Sequence, residues 1–464
     1  MSFFLDSHSS FAGKLAKSGS KLLYLLLISF LLTTALPGSS FAVEVKQVVS
    51  PGGIKAWLVE NPRNPIVAIN FAFGGGSSVD PHGKEGLANF VAATIDEGSG
   101  DLDSQAFQGK LNDLSISLRF DAGRDQLNGS LFTLKKNQAT AIELLRSALT
   151  EPRFDPEPVE RIRSQIKLTL ERRQEDPNYK TQDTLRQLFY PGHVFGRPND
   201  GTPESLSSIA VEDMRHYMSN FIGQDNLTVA AVGDISAEEL GIVLDQAFSG
   251  VAEQSRSSEI VDVTPAVAGG TIVIKEDIPQ SEVLLAQVGI ARDDPDYYAA
   301  VIVNHILGGG SFSSRLYQEV REKRGLAYSV GSYLSAQEQA PLLIATVATQ
   351  NDRVSESIQI IRDQWRLMAD EGPSQQELSD AVTYLTGSFP LNFTSTEQVS
   401  DILLAMQLNK LGIDYLDKRN SYLEAVTLED ARRVARRLYD ADSLTVIVAG
   451  DPVGLKEENP VPRR

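Results

Sequence analysis

The sequence predicts an α+β protein made of two homologous halves, each a mostly antiparallel sheet with helices packed on one face. The first observation is an internal repeat: residues 211–234 align without a gap with residues 428–451, and nine of the 24 positions are identical. In each copy an acidic start and helical pattern lead through a turn to a β-branched strand. Each copy then ends at Gly-Asp, which is Gly233-Asp234 in the first and Gly450-Asp451 in the second.

The repeat extends upstream, which is the second observation. A buried-strand pattern at residues 66–73 and a helix pattern at 86–96 correspond to a strand at 283–290 and a helix at 297–307. Two further helix patterns follow in each half, at 141–149 and 157–174, then at 357–369 and 374–387. Because helices do not alternate singly with strands, the order favours an antiparallel α+β arrangement over βαβ units.

Composition divides the chain into five parts. Residues 1–42 are predicted to be a signal peptide, 43–255 the first half, 256–270 a linker, 271–454 the second half, and 455–464 a polar tail. The linker is rich in Ser, Gly, Pro and charge and shows little hydrophobic periodicity.

The N-terminal segment resembles an export signal. Three lysines precede a mostly apolar run of 15 residues at 22–36, and Ser40 and Ala42 are small residues at the positions that a signal peptidase reads. The run is shorter than the ~20 residues of a membrane span, although an uncleaved anchor remains the alternative. We therefore expect an exported protein, in the bacterial periplasm, whose mature chain has no membrane span.

Charge and cysteine content exclude several classes of function. A net charge of −18 disfavours nucleic acid as a partner and is compatible with basic or unfolded peptides. The chain contains no cysteine, so it can form neither a disulfide nor a thiolate nucleophile nor a cysteine metal site.

Several motifs resemble the insulinase/pitrilysin family of zinc peptidases, which includes the mitochondrial processing peptidase. The most specific is residues 307–330, LGGGSFSSRLYQEVREKRGLAYSV, which is similar to the signature of the family's second half. Residues 190–196 (YPGHVFG), 201–204 (GTPE) and 225–234 resemble first-half motifs. The resemblance covers roughly residues 45–452. It implies two homologous α+β halves and, in the small bacterial and mitochondrial branch, two chains that close like a clam around an unfolded peptide.

The same resemblance places a zinc motif, His-x-x-Glu-His, on the first-half helix of active members. Two histidines one helical turn apart can share Zn²⁺, and the glutamate accepts a proton from the metal-bound water. Here the matching positions are Asn89, Ala92 and Ala93, which supply a neutral amide and two methyl groups. The family's third ligand should fall near 161–170, a stretch without Asp or Glu, and Glu171 lies just beyond it. We expect no metal and no cofactor in this chain, and zinc in a partner subunit.

No pair of histidines replaces the missing motif. After the signal the histidines are widely separated in sequence, so no single helix or short loop brings two together. They are His82, His193, His216 and His305.

The second-half motif retains the family's Arg/Tyr pair as Arg321 and Tyr328. By resemblance, these side chains reach the peptide held at the partner's zinc: the guanidinium can bond peptide carbonyls, and the phenol can donate to a carbonyl or its oxyanion. From spacing alone the segment is also an ordinary solvated helix followed by a strand, and Arg324 is an equal candidate. Gly308, Gly309 and Gly310 form a possible substrate loop, with a helix stop as the alternative.

The preferred hypothesis is a non-catalytic subunit of a heterodimeric zinc metallopeptidase that helps to bind and position extended peptides for cleavage by a homologous zinc-bearing subunit. The alternatives are a peptide-binding or structural homologue without peptidase activity, and an independent zinc peptidase. Neither the peptide substrate nor the partner follows from the sequence, and homodimer and heterodimer both remain open.

Overall fold

The computed structural model describes residues 44–256, 263, 265–266, 269–336 and 339–459. The predicted signal peptide, part of the linker and the end of the tail lie outside them. The described residues from Glu44 onwards form one compact unit. Within the described residues, no helix combines the length and the apolar composition needed to cross a bilayer.

Two sheets form the framework, and they confirm the predicted fold class. The first has the strand order β1-β2-β6-β3-β5-β4, and the second has the order β7-β11-β8-β10-β9. All pairs are antiparallel except β2 with β6 and β11 with β7. The strands are β1 Lys46–Val49, β2 Lys55–Glu60, β3 Ile66–Gly74, β4 Ser117–Ala122, β5 Gln126–Leu134, β6 Leu227–Gly233, β7 Thr271–Lys275, β8 Gln280–Val288, β9 Ala327–Ser335, β10 Leu342–Gln350 and β11 Thr445–Gly450.

Among the described residues, the first half has eight α-helices and the second has six. Those of the first half are α1 Leu87–Ala92, α2 Ser104–Asp113, α3 Gln138–Thr150, α4 Pro156–Arg173, α5 Pro177–Phe189, α6 Pro203–Ser208, α7 Val211–Phe221 and α8 Ala237–Phe248. Those of the second half are α9 Tyr297–Asn304, α10 Val354–Glu371, α11 Gln375–Gly387, α12 Thr396–Leu408, α13 Tyr415–Glu424 and α14 Leu428–Leu438.

The repeated Gly-Asp has a steric cause. At Gly233, with φ of +140°, a Cβ atom would lie 2.1 Å from the carbonyl oxygen of Ile66. At Gly450, with φ of +155°, a Cβ atom would lie 2.2 Å from Oγ of Ser281. Both strands therefore end where a neighbouring strand allows no side chain.

A repeated arginine contact also marks the two halves. Arg215 on α7 donates to the carbonyl of Arg153, at 3.0 Å, and Arg432 on α14 donates to the carbonyl of Pro373, at 3.3 Å. Helix α7 is thereby bonded to the loop before α4, and helix α14 to the loop before α11. The arginine that recurs in the sequence repeat therefore makes an equivalent hydrogen bond in both halves.

Each half has its own apolar core between the sheet and its helices. The first contains Phe71, Phe73, Phe90 and Phe248, and the second is built around the fully buried Trp365. The indole N–H of Trp365 donates to Gln287, at 2.7 Å, so its single polar group is satisfied.

The opposite face of each sheet is covered by a helix from the other half, which the sequence analysis did not predict. Helix α5 of the first half packs on β8 and β11, where Leu185 and Phe189 join a cluster with Leu284, Ile344 and Ile447. Helix α12 of the second half packs on β3 and β6. The prediction of helices on one face only was therefore incomplete, because each sheet is covered on both faces.

Polar contacts fix this exchange of helices. The Tyr190 hydroxyl, just after α5, donates to the carbonyl of Ala340 at 3.0 Å, and Lys180 pairs with Glu276. On the other side, the Gln407 amide donates to the carbonyl of Val229 at 2.9 Å, and the Asn70 amide donates to Asp401. Helix α12 therefore bonds to strands of the opposite half, whereas α5 and the residue after it bond to residues that flank strands β7 and β10.

Two predicted helices differ in length from those observed. The helix expected at 86–96 is regular only over α1, and the one expected at 297–307 is α-helical to Asn304 and continues as a π-helix, His305–Gly309. A second π-helix spans Tyr317–Glu322. Such wide turns occur often at functional sites. The first overlaps the segment that resembles the family signature, and the second lies within it.

Candidate functional site

Helix α1 carries the positions that match the zinc motif, and the buried Asp80 fixes its start. The Asp80 carboxylate accepts hydrogen bonds from the backbone N–H groups of Gly86, at 2.8 Å, and Ala88, at 2.9 Å. Burial raises the pKa of Asp80 to about 7, although these N–H groups oppose the shift. The start of helix α1 is therefore firmly held, but the helix lacks side chains that could bind a metal ion.

Asn89 is bound within a chain of polar side chains. Its amide donates to the Asp200 carboxylate, and the Arg173 guanidinium pairs with the same carboxylate. The position that resembles a metal-binding histidine thus belongs to a charge-balanced contact between α1, α4 and the loop before α6.

The remaining two motif positions are part of the core. Ala92 is 3% exposed within the first core, and Ala93 packs against that core. On the adjacent ring of Phe90, the Arg163 guanidinium lies 4.7 Å from the centroid. Phe90 therefore takes part in a cation–π contact with helix α4, which also holds α1 in place.

The third-ligand region offers no replacement. Leu170 is buried, Glu171 is exposed, and Arg161 pairs with Glu97 at 2.6 Å. Across the described ranges, no group of three or more His, Cys, Asp or Glu side chains could hold a metal ion. The residues at α1 therefore do not fit zinc, since one neutral amide and two methyl groups provide no adequate donor set.

Two of the histidines make local contacts, and two are exposed. The Nδ1 atom of His193 accepts the N–H of Phe195, at 3.2 Å, whereas His82 and His216 are exposed. His305 stacks on Tyr384, with ring centroids 5.1 Å apart. Burial lowers the pKa of His305, so its imidazole is neutral at pH 7.

Arg321 and Tyr328 are brought together in the second half. Arg321 lies on the second π-helix, and Tyr328 near the start of the edge strand β9. The guanidinium carbon of Arg321 lies 4.7 Å from the ring centroid of Tyr328 and 4.8 Å from that of Tyr317. Tyr328 is 83% exposed, so the pair is open to a ligand.

The structure separates Arg321 from the rival candidate Arg324. Glu319 accepts from Arg324 and from Lys323, each at 2.6 Å. These two cations hold the pKa of Glu319 below its usual value. Arg324 is thus committed to an ion pair, whereas Arg321 is held by two aromatic rings.

Gly308, Gly309 and Gly310 form the end of the first π-helix and the turn after it. A Cβ atom on Gly308 would lie 2.6 Å from the backbone nitrogen of Ser332 in β9. Close packing against β9 therefore requires the first glycine, while Gly309 is exposed. The structure supports a packing role for Gly308. Contact of this loop with substrate stays a prediction.

Sequence reasoning missed three contributors to this surface. Tyr317 provides the second ring over Arg321, and Phe312, 69% exposed, packs edge-to-face on Tyr317 at 4.9 Å. Arg315 anchors the segment through a bidentate pair with Glu377, at 2.6 and 2.8 Å. Tyr317 could have been inferred, since residues i and i+4 share a helical face; the other two depend on tertiary contacts.

The two parts of the site do not contact each other within this chain. Asn89 bonds to Asp200, and Arg321 lies between two tyrosines. The chain thus has a helix without metal donors in one half and an open Arg/Tyr pair in the other.

With this fold and these sites, the chain belongs to the insulinase family, peptidase family M16. The sequence profile described as "Insulinase (Peptidase family M16)" matches residues 55–199, and that described as "Peptidase M16 inactive domain" matches residues 208–385.

Similar proteins include a Helicobacter pylori protein named "Non-peptidase homolog YmxG", 26% identical over 74% of this chain and 80% of its own. The β subunit of the mitochondrial processing peptidase of Blastocladiella emersonii is 22% identical over 91% and 92% of the two chains. A crystal structure of a "peptidase M16 inactive domain" from Pseudomonas fluorescens is 27% identical, with a TM-score of 0.82 over 89% of this chain and all of its own. The missing donors, the similarity to the Helicobacter pylori non-peptidase homologue and the match to the inactive-domain profile fit a non-catalytic role.

Proposed function

We propose that this protein is the non-catalytic subunit of a heterodimeric zinc metallopeptidase and helps to bind and position extended peptides for cleavage at its partner's zinc site. One observation carries the proposal: α1 has no metal-binding side chains, yet Arg321 and Tyr328 remain paired at an exposed surface. Packing of the second half alone does not require Tyr328, since its ring is largely in solvent.

The chemistry of the pair suits a peptide held by its backbone. The guanidinium carbon of Arg321 lies over the rings of Tyr317 and Tyr328, and its N–H groups can donate to carbonyl oxygens. The hydroxyl of Tyr328 can donate to a carbonyl or to an oxyanion that forms on it. Neither group supplies a nucleophile, so the water-activating metal must come from the partner.

Edge strands offer a way to hold an extended chain. The strands β4 and β9 are the edges at corresponding positions of the two sheets. An extended peptide can pair with such an edge through backbone hydrogen bonds. Because β9 starts beside Tyr328, a peptide added there would run past the Arg/Tyr pair.

The partner is proposed to be a homologous chain with an intact His-x-x-Glu-His helix. The proposed location is the bacterial periplasm, on the basis of the N-terminal signal in residues 1–42. The family similarity to a subunit of the mitochondrial processing peptidase supports pairing of two homologous chains.

Reconstitution tests the proposal. The mature chain should co-purify with a homologous zinc-bearing subunit encoded in the same genome, and the complex should cleave peptides that neither chain cleaves alone. Tyr328→Phe and Arg321→Gln should each lower kcat of the complex, by about 100-fold for the loss of an oxyanion donor. Arg324→Gln is the matched control, because Arg324 bonds to Glu319.

Three results would overturn it: chelator-sensitive cleavage by this chain alone, full activity of the Arg321→Gln complex, or failure to associate with any zinc-bearing homologue. The last would favour the second candidate, a peptide-binding or structural homologue without peptidase activity. The exposed Tyr328 favours the first candidate, since a purely structural homologue has no use for it.

A further inference from the structure

Arg321 has a guanidinium with no acceptor of its own. Among the described residues, no carboxylate pairs with it and no side chain or carbonyl accepts from it, whereas Arg315, Arg324 and Lys323 each bond to a carboxylate. Its guanidinium carbon lies over the rings of Tyr328 and Tyr317, 4.7 and 4.8 Å from their centroids. These contacts hold the guanidinium, and its planar N–H groups suit a bidentate acceptor.

The local charge around Arg321 is opposite to that of the whole chain. The protein carries −18, but residues 315–328 contain four basic and two acidic side chains. One of the acids, Glu319, is neutralised by Lys323 and Arg324. The other, Glu322, is exposed and follows Arg321 directly. Arg315 pairs with Glu377, so among residues 315–328 Arg321 is the cation without a carboxylate partner.

Exposed aromatic rings continue from the pair. Phe312 packs on Tyr317, and the ideal Cβ position of Gly310 lies 3.0 Å from Nε2 of His305, which stacks on Tyr384. Tyr384 is 61% exposed, whereas the Arg419 guanidinium lies over the nearby ring of Phe389, 3.9 Å from its centroid. The exposed rings of Phe312 and Tyr384 suit apolar side chains of a ligand.

We propose that the Arg321 site takes a peptide carboxylate, with an apolar or aromatic residue of the same peptide packed on Phe312 and Tyr328. The preferred substrates are therefore acidic and apolar segments rather than the basic ones that the net charge suggests. This inference rests on the proposed peptide-binding function and adds the class of peptide. A side-chain carboxylate and a C-terminal carboxylate present the same acceptor to Arg321.

Binding of four fluorescent peptides to the mature chain tests this. All contain one Phe and are otherwise Gly and Ser; they carry either Asp, Asn or Lys near the Phe with an amidated C terminus, or Asn with a free C-terminal carboxylate. Anisotropy titration should show the Asp peptide, the free-carboxylate peptide or both binding about tenfold more tightly than the Asn amide, as expected for one charge-assisted bond. The Lys peptide should bind most weakly.

Variants connect the preference to the site. Arg321→Gln should reduce the carboxylate preference to less than about twofold, whereas Arg324→Gln should retain it. Phe312→Ser should weaken all four peptides alike. Circular dichroism and melting temperature establish that each variant is folded.

The outcomes separate the two proposals. If all four peptides bind equally, or the Lys peptide binds best, the carboxylate inference fails and peptide binding stands. If the preference survives Arg321→Gln, Arg321 is not the receptor. If no peptide binds at any concentration tested, both the inference and the proposed peptide-binding function fail.

Discussion

The side-chain amide of Asn89 donates a hydrogen bond to the carboxylate of Asp200, which in turn pairs with Arg173. A position that resembles a metal ligand of the family is thereby joined to two other elements of the first half. Helix α1 is part of the packed core, so introducing the residues of the zinc motif into it should destabilise the protein.

Ala92→Glu should destabilise the protein by about 3 kcal/mol, because it places a carboxylate without a partner at a position only 3% exposed. The partly exposed Ala93 gives the matched control, and Ala93→Glu should cost about 1 kcal/mol. Urea unfolding at pH 7 measures both. Equal stability of the two variants would show that α1 still has room for the catalytic side chain.

Stability should fall between about pH 4.5 and pH 2 as the Arg315–Glu377 pair is lost. Burial alone would raise the pKa of Glu377, but the Arg315 guanidinium and the Ser374 N–H lower it to about 2. A depressed carboxyl pKa contributes stability above its unfolded value, and this contribution disappears as the folded group is protonated.

Glu377→Gln should therefore cost about 2 kcal/mol at pH 7, allowing for partial exposure, and should lose less stability on acidification than the wild type. Chemical unfolding at pH 7, 5 and 3 gives the comparison. The exposed Glu371→Gln is the control and should follow the wild-type pH dependence. Parallel curves for wild type and Glu377→Gln would contradict the assignment.

Gly308→Ala should destabilise the second half by about 2 kcal/mol, since its methyl group would meet the backbone of Ser332. The strand that carries Tyr328 would be displaced, so peptide binding should also weaken. Gly109 in α2 has nothing within 4 Å of its Cβ position, and Gly109→Ala should raise stability by about 0.5–1 kcal/mol. Thermal unfolding with a peptide titration distinguishes the two; unchanged stability of Gly308→Ala would refute the packing role.

The two halves should not fold well apart. Residues 44–256 and 257–464, expressed separately, should each aggregate because a sheet face loses its covering helix, whereas co-expression should yield a soluble complex. Phe189→Glu, on the face of α5 that packs on the second sheet, should abolish co-purification. Gln182→Glu, on the exposed side of the same helix, should not. Soluble, monomeric halves would contradict this expectation.

Local signals predicted much of the fold. The helix and strand of residues 211–234 and 428–451 are present in both halves, because capping residues, β-branched runs and the closing glycine act within a short stretch of chain. The exchange of α5 and α12 could not be predicted in this way. Amphipathic patterns show that a helix has an apolar face but not which sheet it covers.

The candidate site, like the fold, could be predicted from the sequence only in part. The absence of metal donors at Asn89, Ala92 and Ala93 is visible in the sequence, since it depends only on residue type. The choice between Arg321 and Arg324 is not, because it depends on which guanidinium Glu319 captures and which one Tyr317 and Tyr328 enclose. Sequence spacing alone does not distinguish Arg321 from Arg324 as the candidate for substrate binding.

The crossing of α5 and α12 also bears on how such a chain could have arisen. A polypeptide with one copy of the repeat would have a bare sheet face and a helix with no sheet of its own to cover. Two identical copies, related by a twofold axis, would meet both needs by swapping that helix, as in an isologous dimer. The exchange of α5 and α12 in this chain matches that arrangement. Because both copies lie in one polypeptide, each can change independently of the other.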